Sequence, residues 1–147
     1  MKLKIPPVVV TMVFALLMWA VSNIDLMFGF KSFSLAILSI LLGVLVIILG
    51  VLEFKKAKVT LNPLDPEQSQ NIVSAGIYQY TRNPMYLGMA LILVGVAFYF
   101  GGILLWFFVG GFLIYMTYFQ IMPEEEILTK NFGKTYLNYK QKVRRWI

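Results

Sequence analysis

The chain has 147 residues, 59% of them hydrophobic and only 14% charged, where a soluble domain has roughly half and a quarter. It has no cysteine and no histidine, which excludes a disulfide framework, a thiolate nucleophile and the commonest metal ligand and general base. The formal charge of +6 sits beside apolar runs, which suits orientation in a membrane and contact with anionic lipid and argues against nucleic-acid binding.

Met1-Lys2-Leu3-Lys4 leads into an apolar stretch over about 5–24. A basic start and an apolar run also describe a signal peptide. No clear small-residue cleavage pattern follows, and further apolar runs do, so a retained first transmembrane helix is expected. Pro6 and Pro7 suit its first turn, where missing N–H groups matter little. A short connection, with Asn23, Asp25, Gly29 and Lys31, precedes a second span over about 33–52. Its length, at about 1.5 Å per residue, crosses a hydrocarbon core of about 30 Å. Glu53, Lys55, Lys56 and Lys58 mark its exit into water.

Residues 59–81 form the longest non-apolar interval, with turn signals at Asn62-Pro63 and Asp65-Pro66. A loop this long in so small a protein points to function. A third span is expected over about 84–100 and a fourth over about 103–121, joined by Gly101-Gly102 as an antiparallel hairpin. Gly88, Gly95 and Gly102 recur every seven residues, a spacing that lets helix backbones approach closely. Pro123 is expected to close the membrane part. In the tail, Ile127, Leu128, Phe132, Tyr136, Tyr139, Val143 and Trp146 share one helical face, with lysines and arginines opposite. This predicts an amphipathic segment over 124–147 lying on the membrane surface, broken near Gly133.

The basic residues cluster at the N-terminus (Lys2, Lys4), in the central loop (Lys55, Lys56, Lys58, Arg82) and in the tail, where they include Lys130, Lys134, Lys140 and Lys142. All three belong on the cytoplasmic side of a cell membrane, with both termini inside. The expected fold is therefore a single all-α domain over 1–147: a polytopic membrane protein with about four transmembrane helices, a cytoplasmic connecting loop and a C-terminal amphipathic helical segment. Segments 71–88 and 123–147 then share one side and can build one site.

Within those segments, Asn83 can cap the third helix and Pro84 suits its first position. Arg82 fits less well, because a cation there opposes the helix dipole. An anionic ligand or a lipid phosphate beside it would resolve the conflict. Tyr78, Tyr80 and Tyr86 can form an interfacial aromatic belt or a wall for a cationic ligand. Glu124-Glu125-Glu126 can be ordinary first-turn acids, or can pair with Arg82, Lys130 or a bound cation. Arg144-Arg145-Trp146 can anchor the tail to lipid or bind an acidic substrate group; the residues alone leave this open.

Gly76-Ile77-Tyr78-Gln79-Tyr80-Thr81-Arg82-Asn83-Pro84-Met85-Tyr86-Leu87-Gly88 resembles the G-x-Y-x-x-x-R-[HN]-P-x-Y-x-G signature of the isoprenylcysteine carboxyl methyltransferase and phospholipid methyltransferase superfamily. Glu124-Glu125, Leu128, Phe132-Gly133, Tyr136 and Tyr139 resemble its C-terminal E-E-x-x-L-x-x-x-F-G-x-x-Y-x-x-Y pattern, and Val143–Ile147 its basic close. Asn62-Pro63 and Pro66-Glu67 resemble the bacterial branch. The resemblance implies an integral-membrane enzyme of a bacterial or archaeal cell membrane that uses S-adenosyl-L-methionine. It implies a cofactor pocket of Gly76, Tyr78, Arg82, Asn83, Pro84, Tyr86, Gly88, Glu124, Glu125 and Tyr136, with Arg82, Glu124 and Glu125 in catalytic roles. Arg144, Arg145 and Tyr139 would meet the substrate. Many relatives have histidine where Asn83 stands, and asparagine cannot titrate. The expected reaction is carboxyl O-methylation of an isoprenylcysteine-type carboxylate, which needs no base; the alternative is N-methylation of a phospholipid or small amine, which would need Glu124, Glu125 or a tyrosine to take its proton. The expected partners are a lipophilic acceptor and membrane lipid. A small non-enzymatic transporter or assembly protein is the remaining alternative, disfavoured by the near absence of ionisable residues within the spans.

Overall fold

The structure is a computed structural model that describes residues 5–22, 29–57 and 72–147. Lys2 and Lys4, the 23–28 part of the first connection, and the 58–71 part of the central loop, with Asn62-Pro63 and Pro66-Glu67, lie outside the described residues. The described residues are helical and contain no strand. The helices are α1 (Pro7–Ser22), α2 (Phe33–Lys56), α3 (Pro84–Phe100), α4 (Leu104–Met116), α5 (Met122–Phe132) and α6 (Lys134–Lys142). A 3-10 turn, Gly76–Gln79, precedes α3, and a π-turn, Thr117–Ile121, joins α4 to α5.

α2 and the continuous rod from Leu104 to Phe132 are long and apolar enough to cross a membrane, while α1 and α3 are shorter apolar helices. α3 occupies the bounds the sequence predicts. Asn83-Pro84 starts it, and Gly101, at φ +83, ends it in the left-handed conformation that glycine adopts without strain. α2 runs four residues past the expected exit, to Lys56, where Lys55 and Lys56 favour the negative end of the helix dipole.

α2 and α3 pack antiparallel through small residues. Ala36, Gly43 and Gly50 are the buried positions of α2, spaced every seven residues. A Cβ on Gly88 would lie 2.5 Å from the Gly43 carbonyl oxygen, and one on Gly95 would lie 2.9 Å from that of Ala36. On its other faces α2 exposes Leu38, Leu41, Leu45 and Ile48. α3 also packs on α1 and α4, where Met18, Leu93, Leu105, Phe112 and Met116 are fully buried.

Pro123 does not end the fourth helix. It takes an early position of α5, and the helix continues to Phe132. Proline lacks an N–H and clashes with the carbonyl four residues back. The π-turn immediately before it absorbs both, and Met122 N–H bonds to the Thr117 carbonyl instead. Gly133, at φ +52, separates α5 from α6 as expected. The tail is not helical to its end: after α6, Val143 is extended, and residues 143–147 run back across the bundle.

Candidate active site

The start of α1, the end of α2, the start of α3 and the tail meet at one end of the bundle. Gln120 Nε2 donates to the Ile5 carbonyl. Gly76, at φ +57, packs so closely on Glu53 that a Cβ would lie 2.6 Å from its carboxyl carbon. The turn that follows buries Tyr78 with its ring 5.5 Å from Phe54 and delivers Thr81, Arg82 and Asn83 to the bundle end.

Asn83 stands at the N-cap position of α3, but its side chain makes no capping hydrogen bond. Nδ2 donates instead to the Arg145 carbonyl at 2.9 Å, and Thr81 Oγ1 donates to the same oxygen at 3.3 Å. Arg82 N–H donates to the Arg144 carbonyl at 3.0 Å. The expected capping role is thus corrected: Pro84 removes one N–H that a cap would serve, which leaves the asparagine amide to hold the tail.

α5 brings Glu125 into the middle of this junction. Arg82 Nη2 stands 3.0 Å from its Oε1, with the two side chains 7% and 6% exposed. Arg145 grips the carboxylate with both prongs, Nε to Oε1 at 3.0 Å and Nη2 to Oε2 at 2.9 Å, and Lys140 Nζ lies 3.1 Å from Oε2. Glu125 therefore resolves the conflict of Arg82 with the helix dipole. One carboxylate among three cations leaves the cluster positive. Arg82 Nε and Nη1 are buried with no hydrogen-bond partner.

Glu124, one residue earlier, accepts a hydrogen bond from the Tyr86 hydroxyl. Both acids lie beyond Ile121, past the apolar run of α4 and the π-turn. Burial pushes the Glu124 carboxyl up to about 7, helped by the charge of Glu125 and opposed by the Tyr86 hydrogen bond. Burial also pushes Glu125 up, but its bonds to Arg145 and Lys140 and the charge of Arg82 outweigh this and hold it below the usual range. Two adjacent carboxyls thus differ: one stays ionised and the other titrates near neutrality.

Tyr136 is buried beside the pair, its phenol pushed up to about 12 by burial and by Glu125. The Tyr139 hydroxyl donates to the Tyr78 carbonyl at 2.7 Å, and its ring also lines a cleft of about 720 Å³ with Ser74, Gln79, Phe132, Thr135 and Lys142. That volume lies within the range of small-molecule sites.

Not every expected residue joins the cluster. Gly88 faces Gly43 and Ile47 of α2, and Pro84 sits against Gly50, so both serve helix contact rather than a ligand wall. Tyr80 is 77% exposed. Arg145 commits Nε and Nη2 to Glu125 rather than to an outside group. Arg144 contributes its carbonyl while its side chain is exposed.

A family model described as phospholipid methyltransferase matches residues 32–135, from the N-cap of α2 into α6. The chain belongs to the phospholipid methyltransferase family. An uncharacterized protein of Haemophilus influenzae is 44% identical over 63 residues, 43% of this chain and all of that protein. No solved structure matches. In this member of the phospholipid methyltransferase family, Arg82, Glu124 and Glu125 fall within the matched residues. The partners Lys140 and Arg145 come from the stretch beyond.

Sequence reading missed Thr81, Lys140 and the Trp146–Thr117 hydrogen bond as parts of this junction. Lys140 carried a usable signal, because it follows the tyrosine motif on the helix that faces the acids. The contacts of Thr81 and Trp146 carried none, since they join residues 64 and 29 positions apart.

Proposed function

We propose that this chain is an integral-membrane methyltransferase that uses S-adenosyl-L-methionine on a lipophilic acceptor, with α1, α2, α3 and the first part of the 104–132 rod as four crossing helices. Large exposed side chains along α2 suit lipid contact. α1 and α3, at about 24–26 Å by 1.5 Å per residue, need only modest local thinning of the bilayer. The basic end carrying Lys55, Lys56, Arg82 and the tail is cytoplasmic on this reading. Segments 72–88 and 123–147 together make the site of a single domain.

The observation that carries the cofactor assignment is the pair of unpartnered donors on buried Arg82. Buried N–H groups without partners are costly, and a carboxylate such as that of the methionyl end fits the deficit. The tyrosines and Glu124 offer π faces and a carboxylate to a cationic centre. Arg82, Asn83, Tyr78, Tyr86, Glu124, Glu125 and Tyr136 would hold the cofactor, with Gly76 setting the turn against Glu53 from which Tyr78 and Arg82 follow. When bound, it supplies an electrophilic methyl group on a sulfonium.

Glu124 is suited to take the proton an ammonium acceptor must lose, because its pKa lies near working pH and Tyr86 can steady the charge. Glu125 stays ionised and fixes Arg82. This favours a phospholipid or other membrane amine as acceptor, in line with the family's description. The excess positive charge of the cluster favours a second reading, an isoprenylcysteine-type carboxylate, for which no base is needed. Purified protein in vesicles of bacterial lipid, given methyl-labelled S-adenosylmethionine, decides between them. A base-stable methylamine is the expected product, a base-labile methyl ester indicates the second reading, and no labelled lipid with either class of acceptor refutes both.

A further inference from the structure

We infer that Trp146 is a positioning residue: its indole N–H, bonded to Thr117, holds the π-turn that aims Glu124 at Tyr86 and Glu125 at Arg82. This rests on the proposal that the two acids serve the methyl-transfer site. A π-turn adds one residue to the helical repeat. Removing it would rotate everything after it by about 100° relative to α4, enough to carry both acids off their partners.

Two features bear on that turn. Pro123 excludes regular α-helical bonding just after it. Thr117, its first residue, donates through Oγ1 to the Leu113 carbonyl at 2.7 Å and accepts Trp146 Nε1 at 3.1 Å. Trp146 also packs, partly buried, against the hydrophobic core of the bundle. Its neighbour Arg145 holds Glu125 at the far end of the same stretch. Two consecutive strap residues thus hold both ends of 117–125. The backbone of the strap is tied in turn by Thr81, Arg82 and Asn83.

If Trp146 only fills space, phenylalanine replaces it well. If the N–H sets the turn, Trp146→Phe disturbs it, the isosteric Thr117→Val, which also loses the bond to the Leu113 carbonyl, disturbs it at least as much, and Thr117→Ser is silent. Amide hydrogen exchange over 117–125 in detergent-solubilised protein should quicken about tenfold in both variants, as expected for loss of one partly buried hydrogen bond. The double variant should be no worse than Thr117→Val alone. Exchange unchanged in both variants, or effects that multiply, would overturn the inference. Should Trp146→Phe fail to fold, benzothienylalanine incorporated at position 146, which keeps the bicyclic shape and removes only the N–H, decides by the same exchange measurement.

The pH dependence of S-adenosylhomocysteine binding, by calorimetry, separates positioning from simple support. Glu124 faces Tyr86 of α3, Tyr78 of the 3-10 turn, Tyr136 of α6 and Glu125 on its own helix. In wild type its titration should appear near 7. In both variants it should move at least one pH unit toward the ordinary carboxylate value, as water reaches the released side chain. An unmoved profile beside tenfold faster exchange would mean that Trp146 supports the fold without aiming the acid, which contradicts the inference. Wild type that binds no S-adenosylhomocysteine would sink the methyltransferase proposal, while the exchange data still judge the hydrogen-bond clip.

Discussion

Replacing Glu125 by alanine strips the shared partner from Arg82, Arg145 and Lys140. Lys140, with a side chain 39% exposed, can turn to water and adds little. Arg145, 32% exposed, recovers part of its hydration. Arg82, 7% exposed and already short of partners at two nitrogens, cannot. Breaking a buried pair from one side costs about 3–5 kcal/mol, and the exposure of two of the three cations puts the expected loss at the lower end, about 3 kcal/mol. At about 2–4 °C per kcal/mol for a chain of this size, the unfolding midpoint in detergent should fall by roughly 6–12 °C. Glu125→Gln, which keeps an acceptor for the guanidinium, should lose clearly less. The pH dependence has a definite sign. The native carboxyl sits below its unfolded value, so its contribution is present above about 4.3 and is lost as pH falls through the depressed native value. The alanine variant should therefore converge on wild type in acid. A midpoint within about 1 °C of wild type at neutral pH would refute the view that Glu125 holds the bundle end together.

Glu124 should behave oppositely. Its native pKa, raised to about 7, means that folding opposes ionisation, so wild type loses stability between about 4.3 and 7. Glu124→Gln should raise the midpoint above pH 7, leave it unchanged near pH 4, and abolish transfer to an amine; equal shifts at both pH values would contradict this. Gly88→Ala should destabilise by about 1–3 kcal/mol, because its Cβ meets backbone at 2.5 Å, while Gly110→Ala, with nothing within 4 Å, should be neutral. Thermal melts in detergent compare the two, and similar midpoints would argue against the close α2–α3 contact.

The helical hairpin was legible because its signals are local. An apolar run between Asn83-Pro84 and Gly101-Gly102 leaves little freedom in where α3 begins and ends. The break at Gly133 was legible for the same reason, and the seven-residue glycine spacing pointed to a close helix contact. Pro123 misled because its effect depends on what precedes it. A proline ends a regular helix, but a π-turn lets the helix pass, and one inserted residue leaves no clear mark on the hydrophobic pattern. The strap at 143–147 was hidden by its own periodicity: Val143 and Trp146 continue the apolar face of the tail, yet the carbonyls of Arg144 and Arg145 between them are held by Thr81, Arg82 and Asn83 far upstream. Asn83 shows the same limit. Its position at the helix start was readable from Pro84, but the destination of its amide depended on a carbonyl 62 residues away.

The most direct test of an S-adenosylmethionine site at the bundle end is calorimetric titration of S-adenosylhomocysteine into wild type and Arg82→Ala. In the variant, Glu125 keeps Arg145 and Lys140, so the fold should persist, as circular dichroism can verify. Wild type should bind, and Arg82→Ala should bind at least tenfold more weakly, as expected when a charge-assisted contact is lost. No binding by wild type at millimolar ligand, or equal affinity in a folded Arg82→Ala, would contradict the proposed site.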